Sequence, residues 1–260
     1  MKNLTRVAIA AAFAVSTSAL ADSITVTFDN PIYAHSSDTV SITSSAAPPN
    51  PYPIANPSAG EFGSTVVNYV NTVPGNLSSA SFVDSQNDFF LYCYDLLQTI
   101  SQGGTYTYQV NYGGALGRTL DFLGAVNYVL NGNSNTWSDP YAWLHPADTS
   151  ASAAIQIGIW ESLYDDPSKN GDGLWSLTTG HFQASGLNAG TSTDFTHFIG
   201  ALGAANSVAQ NQTMVLESPD HQDQITGFRP PRFDTPEPGT LALIATGLIA
   251  GGIARRKRNG

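Results

Sequence analysis

The last 25 residues constrain this chain more than any other stretch. Pro236-Glu237-Pro238 precede an uncharged apolar run over residues 239–254, and the basic residues 255–258 follow it directly. A helix of 16 residues is about 24 Å long, whereas the hydrocarbon core of a bilayer is roughly 30 Å thick. The run is thus short for a spanning segment, and its basic end favours the cytoplasmic side. We expect a transient membrane attachment.

This order of segments resembles the PEP-CTERM sorting signal of Gram-negative bacteria. The resemblance implies processing by exosortase, a membrane peptidase, and a final location at the cell surface or in the exopolysaccharide matrix. Before processing, residues 239–254 would anchor the chain in the inner membrane. An ordinary single-span anchor is the alternative, which the short run and the PEP triplet disfavour.

The N-terminal end predicts export. Lys2 and Arg6 are positively charged, residues 7–15 are apolar, and Ala19 and Ala21 place small side chains where a signal peptidase reads the chain. We therefore interpret residues 1–21 as a cleaved signal peptide. The mature chain then starts near Asp22, outside the cytoplasm.

Charge excludes one class of partner. Six of the ten Lys and Arg residues lie in the two processed ends, but only one of the twenty Asp and Glu residues does. The mature chain is therefore more acidic than the net charge of −10 of the full sequence. Such a surface argues against binding nucleic acid, which requires a basic patch.

Alternating apolar residues predict strands in the first half of the mature chain. We expect strands at residues 24–28, 66–70, 89–94 and 105–112, with a Pro-rich loop over residues 36–60. Gln102-Gly103-Gly104 offers a turn that would pair the last two strands as a hairpin.

The period then becomes helical. We expect helices at residues 116–130 and 151–164, the second capped by Asp148, Thr149 or Ser150, and a third through residues 195–202 capped by Thr193 or Asp194. A strand at 212–217 and a Pro-rich linker at 218–235 follow. The prediction is an α+β fold over residues 22–217: a β-rich domain, sandwich or barrel-like, with a helical insertion.

Cys93 is the only cysteine, so an intramolecular disulfide is excluded. A lone cysteine in an exported chain is buried and inert, bridges two molecules, or is reactive. Cys93 stands in the segment Leu91-Tyr92-Cys93-Tyr94-Asp95, and 63 residues later Gln156 stands in the segment Ile155-Gln156-Ile157-Gly158-Ile159-Trp160.

These two segments resemble the thioester domain of bacterial surface adhesins, in which an aromatic-Cys-x-Asp strand meets a Thr-Gln-x-Ala-Ile-Trp segment. The resemblance implies that Cys93 supplies the thioester sulfur and Gln156 the acyl carbon, with loss of ammonia. Ile155 and Gly158 stand where that family has Thr and Ala, and the separation between Cys and Gln is shorter than in typical adhesins.

The residues themselves are consistent with this chemistry. A thiolate is a competent nucleophile, and an amide carbonyl reacts only when held close and desolvated. On a helix, Trp160 shares a face with Gln156 and would shield the bond, while Asp95 or Tyr94 would move the proton. No cofactor is implied, and the partner would carry an amine or a hydroxyl. An ordinary hydrogen-bonded core glutamine is the alternative for Gln156.

Three other interpretations remain open. A non-covalent structural or glycan-binding matrix protein would use exposed aromatic residues such as Trp137, Tyr141 and Trp143 to stack on sugars. A secreted hydrolase built on Cys93 and His145 has no recognisable signature around either residue, so we do not expect an enzyme. The acidic loop Asp165–Asp172 is either a Ca²⁺ site or, as its spacing favours, a solvated turn.

Overall fold

The computed structural model describes residues 21–42, 56–72, 76–96, 98–169 and 171–231. It divides the chain into a compact unit ending at Arg229 and a second unit, Pro230–Gly260. The predicted leader up to residue 20, including Ala19, lies outside the described residues, as do the triplet Pro236-Glu237-Pro238 and the apolar run 239–254. Ala21, the last residue of the predicted leader, is exposed.

Six antiparallel strands form the main sheet, in the order β5-β1-β7-β9-β10-β6. Two further pairs, β2 with β4 and β3 with β8, are two residues long each. The strands are β1 Ser23–Tyr33, β2 Asp38–Thr39, β3 Ser41–Ile42, β4 Ser58–Ala59, β5 Phe62–Val70, β6 Tyr92–Cys93, β7 Thr105–Asn111, β8 Ala184–Ser185, β9 Thr213–Glu217 and β10 Gln224–Gly227.

The main sheet curls into a half-barrel whose two edge strands approach each other. Phe62, the first residue of β5, exchanges two backbone hydrogen bonds with Leu91, the residue before β6, at 2.8 and 3.1 Å. Alternation along β1 explains which face is buried, since Ile24, Val26 and Phe28 have at most 1% of their surface exposed.

The described residues form three α-helices: α1 Gly117–Leu130, α2 Thr149–Tyr164 and α3 Ala189–Gly200. Helix α2 contacts β6 of the sheet and packs against both α1 and α3. Every residue of α2 from Ala151 to Leu163 is buried, which is typical of a helix surrounded by the core. Ser152 accepts a hydrogen bond from the backbone N–H of Glu61, next to β5, at 2.7 Å. No helix of the described residues is long and apolar enough to cross a membrane.

In the part of the chain that the structure describes, the coarse fold prediction is confirmed as a β-rich half-barrel with three helices. Strands β1, β5, β7 and β9 and helices α1 and α2 lie where the periodicity placed them. Asp148 is the cap of α2, because its carboxylate accepts from the backbone N–H of Ala151 at 3.0 Å.

The predicted hairpin is wrong. Strand β6 pairs with β10, and β7 pairs with β1 and β9. The turn at Gly103 and Gly104 instead returns the chain onto β1: Phe28 N–H donates to the Gly104 carbonyl, and Gly103 N–H donates to the Asp29 carbonyl.

Three boundaries also differ from the predictions. Helix α3 begins at Ala189 because Asn188 caps it through Thr191 N–H at 2.9 Å, so Thr193 and Asp194 lie inside the helix. The predicted linker starts too early, since β10 is fully buried between β9 and β6. The predicted loop at residues 36–60 contains the short strands β2, β3 and β4, while its residues 43–55 lie outside the described part of the chain.

Candidate functional site

Cys93 lies on β6, at the edge of the half-barrel, directly opposite Gln224 of β10. The ladder bond beside this pair runs from Tyr94 N–H to the Asp223 carbonyl at 2.7 Å. Cys93 and Gln224 are therefore a non-hydrogen-bonded pair, and the backbone N–H and C=O of Cys93 point away from β10. These two polar groups require partners because Cys93 is only 3% exposed.

Gln156 of α2 supplies both partners. Cys93 N–H donates to Gln156 Oε1 at 2.8 Å, and Gln156 Nε2 donates to the Cys93 carbonyl at 2.9 Å. Leu91 makes backbone hydrogen bonds to Phe62 of β5, and two residues later the Gln156 carboxamide takes the place of such a strand for the backbone of Cys93. The structure brings together the two residues that the sequence singled out, with Gln156 completely buried.

The Cys93 thiol has a different partner. Its Sγ donates to Gln222 Oε1 at 3.0 Å, and Gln222 Nε2 donates to the backbone carbonyl of Asp95 at 3.1 Å. Sequence reasoning missed Gln222 because it lies in the predicted linker. The alternation of Gln222, Gln224 and Thr226 was the available signal of a strand there.

A cavity of about 350 Å³ lies at the thiol. Cys93, Trp160 and Gln222 line it, together with the aromatic side chains of Tyr33 and Phe62. Trp160 is 1% exposed, so its indole forms part of the wall. The cavity gives a small molecule a place beside the Cys93 side chain.

Electrostatics keep the thiol protonated. Burial raises the pKa of Cys93 well above its ordinary value, and the negative charge of Asp95 raises that pKa further. The Asp95 carboxylate accepts from Asp223 N–H at 2.8 Å and from Gln98 N–H at 3.3 Å. The Tyr94 hydroxyl accepts from Leu116 N–H at 2.8 Å, at the start of α1. Proton transfer by Asp95 or Tyr94 thus remains a prediction.

The carboxylates of the acidic loop accept hydrogen bonds from backbone N–H groups within and after the loop. Asp165 accepts from Phe182 N–H at 3.1 Å, Asp166 from Ser168 N–H at 2.7 Å, and Asp172 from Leu174 N–H at 2.8 Å. Within the described residues, no three His, Cys, Asp or Glu side chains are placed to hold a metal ion.

Two of the three aromatic residues proposed for sugar stacking are buried. Trp143 is completely buried and Tyr141 is 7% exposed, with its hydroxyl donating to the Phe228 carbonyl at 2.9 Å. Trp137 is partly buried against the core. The stacking prediction is therefore wrong for Trp143 and Tyr141, whose rings pack inside the domain, and it stays a prediction for Trp137.

Residues 234–258 match the family model of the PEP-CTERM protein-sorting motif. The chain carries a PEP-CTERM signal. This confirms the sequence prediction for the C-terminal tail and implies an exported surface protein that exosortase machinery sorts. No curated protein and no solved structure matches the chain. The PEP-CTERM match covers the tail alone, so the activity of the half-barrel must be argued from its own residues.

Proposed function

We propose that this exported PEP-CTERM protein forms a thioester between Cys93 Sγ and the side-chain carbon of Gln156, and uses it to attach covalently to a partner. The observation that supports the proposal is the pair of hydrogen bonds, 2.8 and 2.9 Å, that hold the Gln156 carboxamide on the backbone of Cys93. Holding the two residues together lowers the entropic cost of reaction, and the Cys93 sulfur must leave Gln222 to reach the Gln156 carbon.

Formation of the bond balances without a cofactor. The Cys93 sulfur bonds to the Gln156 carbonyl carbon, the carbon–nitrogen bond breaks, and the thiol proton leaves with the amide nitrogen as ammonia. Burial of Gln156 and Trp160 protects the product, because a thioester exposed to water would hydrolyse.

Capture reverses the role of the sulfur. An amine or hydroxyl of the partner approaches through the cavity beside Cys93 and bonds to the Gln156 carbon, the carbon–sulfur bond breaks, and the nucleophile's proton passes to the released Cys93 sulfur, which becomes a thiol again. Lys169 is the only lysine between residues 22 and 235, so capture of the chain by its own lysines is limited. The proposed target is an amine at the cell surface or a hydroxyl of the exopolysaccharide around the Gram-negative cell that produces the protein.

Intact mass of the secreted protein tests this proposal. We expect a chain that lacks residues 1–21 and the sorting tail and is one ammonia lighter than its sequence. Methylamine should add across the bond and expose one free thiol. Peptide mapping should assign the link to Gln156, because Gln222 also contacts the sulfur.

Two variants are the controls. Cys93→Ala removes the nucleophile. Gln156→Glu is the matched change: a protonated, buried glutamic acid keeps both hydrogen bonds to Cys93 but has no ammonia to release. Both should show full mass. A wild-type protein of full mass with a titratable Cys93 would contradict the thioester and favour a non-covalent structural or glycan-binding matrix protein.

A further inference from the structure

The contact between Gln222 and the Cys93 sulfur is neither formed nor broken as a covalent bond in the proposed thioester chemistry. Gln222 lies on β10's side of the ladder, two residues before Gln224, and alternation along a strand places both side chains on the face that Cys93 occupies. Its side chain is 5% exposed and its oxygen lies 3.0 Å from Sγ. Both residues line the same cavity.

Asp95 fixes which end of the Gln222 carboxamide faces the sulfur. The Gln222 nitrogen donates to the Asp95 carbonyl at 3.1 Å, so the oxygen is the atom turned toward Sγ. An oxygen acceptor binds an S–H donor but repels a thiolate, whereas the amide nitrogen would do the reverse. The fixed orientation therefore favours the protonated thiol.

We propose that Gln222 positions the Cys93 thiol in the cavity and holds it protonated, and so sets the rate at which the thioester of the proposed function forms. The effect on the rate of thioester formation rests on the proposed function. The contact itself is testable without it, since any thiol reagent reports how much thiolate Cys93 carries.

Several other groups act on this sulfur. The charged Asp95 lies two residues after Cys93, and Asp223 contacts the Asp95 carboxylate through its backbone N–H. The hydroxyls of three tyrosines interact electrostatically with Cys93: Tyr33 of β1, Tyr108 of β7 and Tyr164 of α2. All of these groups are present in every Gln222 variant, so a comparison among the variants tests the carboxamide against a constant set of ionisable groups.

The first experiment measures alkylation of Cys93 by iodoacetamide across alkaline pH in the Gln156→Glu background, in which no ammonia-releasing thioester forms. Gln222→Met removes the acceptor and should raise the rate at each pH severalfold, up to about tenfold. Gln222→Glu places a second negative charge at the sulfur and should lower the rate. A packing defect would loosen the cavity and accelerate both variants. Rates that do not move in opposite directions overturn the inference.

The second experiment follows ammonia loss by mass during refolding with Gln156 intact. We expect the same order of rates: Gln222→Met fastest, wild type next, Gln222→Glu slowest. If wild type never loses ammonia, the proposed function fails while the alkylation order still decides the role of Gln222. If wild type forms the thioester and the Gln222 variants match it, the role of Gln222 fails alone.

Discussion

His145 joins two loops through both nitrogens of its ring. Nδ1 lies 2.6 Å from Asp139 Oδ2, and Nε2 lies 3.0 Å from Asp84 Oδ1. The hydrogen bond to Asp84 is the largest cause that raises the pKa of His145 to about 9, Asp139 adds to it, and burial opposes both. Both nitrogens are occupied, which argues against a role for His145 as a base toward Cys93.

NMR titration tests this arrangement at the residue scale. The His145 ring should titrate near pH 9 in the wild type. Asp84→Asn should lower that pKa more than Asp139→Asn does, because the bond to Asp84 contributes most. An ordinary midpoint in the wild type, unmoved by either change, would contradict the structure.

The same shift determines how His145 affects stability. A folded-state pKa above the unfolded value stabilises the protein fully below about pH 6.5, and the contribution disappears as pH rises through about 9. The melting temperature of His145→Gln should therefore lie below that of wild type in mild acid and approach it in alkali. A difference that grows with pH would show that the ring is not held as a cation.

At the scale of secondary-structure elements, the close packing of α2 against α1 leaves no room for a side chain at position 158. A Cβ at Gly158 would lie 1.9 Å from the Phe122 ring, which is completely buried. Because α2 is surrounded by core, the ring has little room to move away. Gly158 is thus required by the approach of Phe122.

Gly158→Ala should destabilise the domain by about 1–3 kcal/mol, although alanine favours helix more than glycine does. The control is Gly200→Ala at the end of α3, where an added Cβ meets nothing within 4 Å. That change should alter stability by less than about 1 kcal/mol. Urea unfolding measures both, and equal effects at the two positions would refute the packing argument.

At the scale of the whole molecule, strand β10 determines how far along the chain the folding unit extends. It lies between β9 and β6, so the edge strand that contains Cys93 is attached to the sheet through β10. Without it, β6 loses its strand partner and Cys93 loses Gln222. The unit that must fold after export therefore extends to Arg229.

Truncation tests that boundary. A chain of residues 22–231 should unfold cooperatively on heating, as followed by circular dichroism. A chain of residues 22–218 should not, because it lacks β10 and exposes the buried faces of β6 and β9. Cooperative unfolding of the shorter chain would restore the boundary first predicted at residue 217.

The sequence by itself determined the features that depend on neighbours along the chain. Helical spacing predicted the positions of α1 and α2 along the chain, and alternation predicted those of β1 and β7. The order of segments in the tail predicted the sorting signal. The motifs around Cys93 and Gln156 also named a pair that the structure brings together. Each of these depends on local periodicity or on a short run of residues.

Only the tertiary structure decided which strands pair and what surrounds the thiol. Strand β6 is two residues long, too short for a pattern to show that it meets β10 rather than β7. The prolines on either side of β10 led to the prediction of a linker instead of a strand. The contact of Gln222 with the Cys93 sulfur joins residues that are 129 positions apart, and no local pattern predicts it. Such contacts arise because the half-barrel closes, and closure depends on the packing of the whole core rather than on any one segment.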